Sequence, residues 1–178
     1  MAWEYLPQVD DRFKVIASYL KGKTKDKVIV DLNCLEARLT KYIDQDFAKY
    51  LGNDLQDKFP VLSKAEFKIA RDDEFVRSLD RCDILVVAGM GGWEITKEPL
   101  ESKTATESAR FVISTLKPQI IALESVREFE GIISFLEAFT IAGKYNLVLK
   151  KYLDLGDDWV MKRAVYIYEK REVPDVTK

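Results

Sequence analysis

The chain has 178 residues, of which 47% are hydrophobic and 33% charged, a composition typical of a globular protein with one core. It contains no histidine, which excludes Ser-His-Asp and Cys-His catalysis and zinc sites with imidazole ligands. The 28 basic and 30 acidic residues give a formal net charge of -2, so the overall field does not favour nucleic acid, although a local basic patch stays open. Because histidine is absent, any catalytic chemistry must use carboxylates, amines, hydroxyls, thiols or a cofactor.

Cysteine usage and hydropathy bear on the compartment. Cys34 and Cys82 lack the clustered spacing of a metal or redox site, so we expect both to be reduced and buried. No run of residues approaches the roughly 20 apolar positions that cross a bilayer. The first residues, Met1 to Glu4, have no positively charged start leading into an apolar stretch. These features predict a cytoplasmic protein without a membrane span or signal peptide.

Apolar runs of strand length alternate with segments of helical period, which predicts repeated βα units around a parallel sheet. The expected strands are 28–32, 49–54, 67–70, 84–88 and 119–124. The expected helices are 10–20, 36–43, 74–79, 106–116 and 129–142, with Asp73 as the cap of the third and Gly143 as a left-handed end of the last.

The alternation breaks near the end of the chain. Two β-rich runs, 146–152 and 163–168, follow each other with a loop between them rather than a helix, which favours an antiparallel pair. The sequence therefore predicts an α/β fold: a Rossmann-like, seven-stranded, mostly parallel sheet with a final antiparallel strand and helices on both faces. We expect an N-terminal helix and linker at 1–27, the α/β domain at 28–172 and a frayed tail at 173–178.

Acidic residues stand at the ends of the first three predicted strands: Asp31, Asp54, and Asp72 with Asp73 as the second choice. A carboxylate can accept two hydrogen bonds from a ribose diol, and the carboxyl ends of parallel strands form the crevice where nucleotides bind. Each aspartate could instead cap a helix.

The element order and these aspartates resemble the class I S-adenosylmethionine-dependent methyltransferases over about residues 28–170. The resemblance implies S-adenosylmethionine as the cofactor. It places Asp31 before the first turn, Asp54 on the ribose hydroxyls, and Asp72 or Asp73 near the adenine.

The turn after the first strand departs from that family, which normally has glycines at alternate positions. Here those positions hold Asn33, Leu35 and Ala37. Asparagine adopts the left-handed conformation more readily than most residues, and alanine is a small replacement. Leu35 leaves two alternatives. Either the loop is rebuilt so that Leu35 points into the core, or cofactor binding is weak or lost.

The fourth strand leads into a glycine-rich turn. Residues 84–92 read Ile-Leu-Val-Val-Ala-Gly-Met-Gly-Gly, which resembles the fourth-strand segment of bacterial tRNA (adenine-N1) methyltransferases. The resemblance implies an RNA substrate, with this turn beside the transferred methyl group and the target base. The alternative is a tight turn that merely needs positive φ angles. The residues implied to contact cofactor are Ala88 and Gly89, and those implied to contact substrate are Met90, Gly91, Gly92 and Trp93.

Two carboxylates are candidates if a general base is needed. Glu94 follows the glycine-rich turn and is the first choice, and Glu124 at the end of the fifth strand is the second. Trp93 could stack on a base or cover the core. The Asp/Asn-Pro-Pro-Tyr/Phe signature of amino-group methyltransferases is absent from the sequence, which argues against exocyclic amines as targets.

Two other functions compete with methyl transfer. A noncatalytic member of the fold could serve as a binding or assembly subunit, as Leu35 and the aromatic Trp3 and Tyr5 suggest. A nicotinamide-dependent reductase is disfavoured, because the first turn lacks Gly-x-Gly-x-x-Gly spacing. The sequence leaves open whether the protein forms a homo-oligomer or needs a protein partner.

Overall fold

The computed structural model describes residues 10–90, 100–126, 143–154 and 163–172. Within them, seven strands form one sheet in the order β3-β2-β1-β4-β5-β7-β6. The strands are β1 (Val28–Leu32), β2 (Lys49–Asp54), β3 (Ala65–Ile69), β4 (Ile84–Met90), β5 (Ile120–Val126), β6 (Tyr145–Tyr152) and β7 (Arg163–Lys170). The helices are α1 (Asp11–Leu20), α2 (Asp72–Val76) and α3 (Leu100–Leu116), with a 3-10 helix at Arg38–Lys41.

Strands β1 to β5 are mutually parallel, and β7 runs antiparallel to both β5 and β6. The predicted antiparallel pair at the end of the chain is therefore confirmed. The strand order reverses between β1 and β4, since the chain proceeds outward from β1 in one direction and from β4 in the other. In open α/β sheets, this switch point is where ligands bind, at the carboxyl ends of the strands.

The core lies on both faces of the sheet. All five residues of β1 are buried, as expected for a central parallel strand. Val30 and Leu32 face one cluster, which includes Phe75 of α2 and Val112 of α3. Ile29 faces the opposite cluster, which contains the buried side chains of α1: Phe13, Ile16, Ala17 and Leu20. Helices on both faces are thus confirmed.

None of the described helices is long and apolar enough to pass through a membrane.

Two local predictions were wrong. The helix expected at 36–43 is only the four-residue 3-10 helix, because Ala37 before it is left-handed, with a φ of 48°, and cannot belong to a right-handed helix. Asp73 does not cap the next helix. Arg71 takes the cap position without a side-chain hydrogen bond, and Asp73 lies in the first turn of α2.

Gly143 has the expected left-handed conformation, with a φ of 75°. The predicted helix at 129–142 and the tail at 173–178 lie outside the described residues. The domain boundaries at 27 and 172 stay predictions.

Candidate functional site

The turn after β1 has an unusual backbone. Asn33, Leu35 and Ala37 have φ angles of 52°, 50° and 48°, and they occupy the alternate positions at which the sequence comparison expects glycine. A left-handed conformation costs a non-glycine residue about 1–2 kcal/mol. Three such residues in one turn persist only if the surrounding contacts determine the conformation. The turn therefore adopts, without any glycine, backbone angles that glycine adopts most readily.

The end of β2 supplies many of those contacts. The backbone N–H of Leu35 donates to Oδ2 of Asp54 over 3.0 Å. The backbone N–H groups of Asn33 and Cys34 donate to Asn53, to its side-chain oxygen at 3.2 Å and its carbonyl at 2.9 Å. Asp54 is partly exposed, and its other oxygen accepts from the N–H of Gln56 at 3.1 Å. The predicted ribose-binding carboxylate thus lies directly against the predicted cofactor turn.

Asp72 joins the same cluster from the start of α2. It is buried, and its two oxygens accept from the side-chain amides of Asn33 and Asn53, each at 2.7 Å. Burial raises the pKa of Asp72, while the two amides oppose this shift. Asp73 is more exposed and pairs with Arg71 at 3.2 Å. Asp72 therefore connects the turn after β1 to the end of β2.

Asp31 lies beneath the turn, within β1. It is buried and accepts a short hydrogen bond from the hydroxyl of Tyr50. Burial raises the pKa of Asp31 to about 7, although the Tyr50 hydrogen bond and the charge of Arg12 both act in the opposite direction. Its ionisation near neutral pH thus depends on residues of β2 and α1.

Ala88 and Gly89 lie at the carboxyl end of β4, where the pairing with β5 shifts register between Val87 and Met90. Gly89 has a φ of 87°, which a glycine adopts without strain. Its N–H donates to Oε2 of Glu124 at 2.6 Å. Gly89 thus lies at the end of β4, which is the strand next to β1.

Glu124 does not suit the role of general base. It is fully buried, and Arg163 donates to both of its oxygens while Arg12 approaches Oε2 at 3.3 Å. Burial alone would raise the pKa of Glu124, but the two guanidinium groups outweigh it and lower that pKa. A carboxylate so stabilised as an anion is a weak proton acceptor. Glu124 instead fixes the backbone at Gly89.

The structure brings together most of the predicted cofactor residues: Asp31, Asn33, Leu35, Asp54 and Asp72. Met90 is the last residue of β4. Gly91, Gly92, Trp93 and Glu94, predicted to contact substrate or act as the base, lie outside the described residues.

Sequence reasoning missed four polar residues that organise the site: Arg12, Tyr50, Asn53 and Arg163. A signal was available for two of them. Arg12 stands on the apolar side of α1, beside Phe13 and Ile16, and Arg163 directly precedes the hydrophobic residues 164–168 of β7. Buried arginines require anionic partners, but the sequence does not say which carboxylates those are.

No protein-family profile matches the sequence, and no curated protein matches it. Solved structures do. The N-methyltransferase NodS from Bradyrhizobium japonicum WM9, in complex with S-adenosylhomocysteine, superposes with a TM-score of 0.69 and 12% identity, over 96% of this chain and 92% of NodS. Magnesium protoporphyrin IX methyltransferase from Synechocystis PCC 6803, with bound S-adenosylmethionine, gives 0.62 and 12% over 94% of this chain and 80% of the other.

A third similar structure is the small RNA methyltransferase HEN1, with a TM-score of 0.64 and 13% identity. It is matched over 97% of this chain but only 26% of its own length. The sheet order, the antiparallel β7 and these superpositions agree with one another. The chain has the Rossmann-like fold of the class I methyltransferases.

Proposed function

We propose that the protein binds S-adenosylmethionine at the carboxyl ends of β1, β2 and β4 and is a methyltransferase. One observation carries the proposal. Asn33, Leu35 and Ala37 have positive φ angles, which glycine adopts most readily, at the positions where the resemblance to methyltransferases predicts glycine. The energetic cost of this conformation suggests that the path of the turn serves a purpose beyond connecting two elements.

The polar groups of the site fit the cofactor. Asp54 uses both oxygens to hold backbone N–H groups, of Leu35 and of Gln56. A carboxylate has about four acceptor positions, so about two remain for the vicinal hydroxyls of a ribose. Asn33 is exposed and Leu35 is half-buried, so the Leu35 side chain is partly withdrawn from the surface of the turn.

When bound, S-adenosylmethionine would supply a sulfonium methyl group: the lone pair of the acceptor would form the new bond to carbon while the carbon–sulfur bond breaks and S-adenosylhomocysteine leaves. The protein then contributes mainly by holding donor and acceptor in line. This chemistry is compatible with a chain that has no histidine. In this proposal, Asp54 binds the ribose, the turn at 33–37 holds the methionine end, and Ala88 and Gly89 border the methyl group.

RNA is the substrate class we propose, with a base nitrogen as the acceptor. The support is the likeness of residues 88–92 to the glycine-rich turn of tRNA (adenine-N1) methyltransferases, together with the fold similarity to HEN1. Transfer of labelled methyl groups from S-adenosylmethionine to unmodified tRNA is the test. Labelling of protein or small molecules, with none of RNA, would contradict this substrate.

Calorimetric titration with S-adenosylhomocysteine tests the cofactor site. Asp54→Ala removes a charged acceptor of two hydrogen bonds, each of about 1.5–3 kcal/mol, so we expect affinity to fall by about a hundredfold or more. Asp57→Ala is the matched control, since Asp57 is an exposed aspartate three residues away and the charge change is the same. Equal losses in the two variants would contradict a ribose-binding role for Asp54.

A noncatalytic binding or assembly subunit is the second candidate. One feature favours it: the acceptor groups of Asp72 are already held by Asn33 and Asn53, which stabilises the turn without any ligand. This function predicts a folded protein that does not bind S-adenosylhomocysteine at millimolar concentration and that forms a stable complex with a partner. Binding that depends on Asp54 would exclude it.

A further inference from the structure

The residue before α1 contacts the segment that follows the β1 turn. Oδ1 of Asp10 lies 2.9 Å from Nη1 of Arg38, and Oδ2 accepts from the hydroxyl of Tyr42 at 2.5 Å. Arg38 comes directly after the left-handed Ala37, and its Nε also donates to Glu36 at 3.0 Å. Burial alone would raise the pKa of Asp10, but these hydrogen bonds outweigh it and keep that pKa low. Asp10 is thus a charged anchor for the β1 turn.

The first turn of α1 also reaches, through Arg12, the last residues of β4, Ala88 to Met90, which we call the β4 turn. The Arg12 guanidinium lies 3.3 Å from the same Glu124 oxygen that accepts from the Gly89 N–H at 2.6 Å. A Cβ placed on Gly89 would lie 3.4 Å from Nη1 of Arg12. Arg12 therefore packs directly against the backbone of the β4 turn.

Charge compensation alone does not explain Arg12. Arg163 already donates to both oxygens of Glu124, which is the paired geometry that neutralises a buried carboxylate well. A second buried guanidinium carries a desolvation cost, and burial lowers the pKa of Arg12. Arg12 also acts on the buried Asp31, because its charge lowers the pKa of that carboxyl. Beyond its charge, Arg12 connects α1 to Glu124 and Gly89.

We propose that Asp10 and Arg12, which we call the α1 link, are positioning residues that hold the β1 and β4 turns at a fixed separation. The inference rests on the proposed function, in which these two turns form opposite walls of the cofactor site. A link of this kind works only while both of its ends are attached. Removing the contacts of either Asp10 or Arg12 therefore loosens both turns, and removing the contacts of the other residue as well loosens them little further.

Hydrogen exchange of the ligand-free protein tests the link without reference to the cofactor. The variants are Asp10→Asn, Arg12→Met and the double variant. The controls are Asp11→Asn and Lys21→Met, which change the charges of a partly exposed aspartate and an exposed lysine at the two ends of the same helical segment. We expect each single variant to raise exchange about threefold to tenfold at both 33–37 and Gly89, and the double variant to match the larger single effect. Changes confined to the nearer turn, or additive in the double variant, would overturn the link.

Titration with S-adenosylhomocysteine supplies the functional readout. Each single variant is expected to weaken binding about threefold to tenfold, again without additivity, whereas the two controls leave affinity unchanged. Should the unaltered protein not bind this ligand, the proposed function fails while the exchange data still decide the link. Arg12→Lys keeps a cation beside Glu124 and replaces Arg12→Met if that variant does not fold; it must show the same coupling of both turns.

Discussion

Replacing Leu35 by glycine and by alanine tests the conformation on which the site rests. Both substitutions remove the half-buried side chain beyond Cβ, so the comparison between them cancels most of the packing loss. The remaining difference in stability between the two variants comes from the preference of each residue for a backbone φ of 50°. In right-handed elements alanine is the more stabilising of the two residues. At Leu35 we expect the order to be reversed.

The magnitude follows from two opposing terms. A left-handed conformation costs alanine about 1–2 kcal/mol, a cost that glycine does not have. Glycine loses about 0.5–1 kcal/mol relative to alanine, because its unfolded chain is more flexible. Taking the centre of each range, Leu35→Gly should be more stable than Leu35→Ala by about 0.75 kcal/mol.

Urea unfolding followed by circular dichroism measures this difference. With a slope of about 2 kcal/mol per molar urea, the two midpoints should differ by about 0.4 M. Ala17→Gly in α1 is a control of opposite sign, since a glycine inside a right-handed helix costs about 1 kcal/mol. If Leu35→Ala were as stable as Leu35→Gly, residue 35 would not be left-handed in solution, and the comparison with a glycine-rich cofactor turn would fail.

Two further predictions concern buried positions. Burial raises the pKa of Asp31 from 3.8 to about 7, so the folded state binds more protons than the unfolded state between these values, and the contribution of Asp31 to stability falls as pH rises from about 4 to 7. The stability of Asp31→Asn relative to the unaltered protein should therefore increase over this range in urea titrations, and a pH-independent difference would contradict the shift. Gly52→Ala places a Cβ 2.7 Å from Sγ of Cys34 and 3.0 Å from Phe67. We therefore expect this substitution to lower the free energy of unfolding by about 1–3 kcal/mol. A loss below about 0.5 kcal/mol, the range of ordinary surface substitutions, would show that Cys34 moves aside freely.

The strands were the most predictable part of the fold. The bounds of β1 and β2 match the expected 28–32 and 49–54. For β1 the reason is composition, because four of its five residues are apolar, as is typical of a central strand in a parallel sheet. The helix expected at 36–43 failed for a tertiary reason. Contacts from Asn53 and Asp54 hold the preceding turn left-handed, and local propensity carries no information about partners that lie twenty residues away.

The site was predictable where it depends on strand ends. The closeness of Asp31, Asp54 and Asp72 follows from their positions, since the carboxyl ends of parallel strands meet at one edge. Their roles toward a cofactor stay predictions. The roles of Asn53 and Glu124 were not predictable, because they depend on which buried donors reach them. Leu35 shows the same limit: its residue type argues against a glycine-like turn, yet its backbone adopts one.

A crystal structure of the protein with S-adenosylhomocysteine tests the central claim most directly. We predict that the ribose hydroxyls lie within hydrogen-bonding distance of Asp54, that the methionine end lies along residues 33–37, and that the Leu35 backbone stays left-handed. Crystals soaked at millimolar ligand that show an empty site, or a ligand bound away from β1 and β2, would contradict the assignment of this edge as a cofactor site.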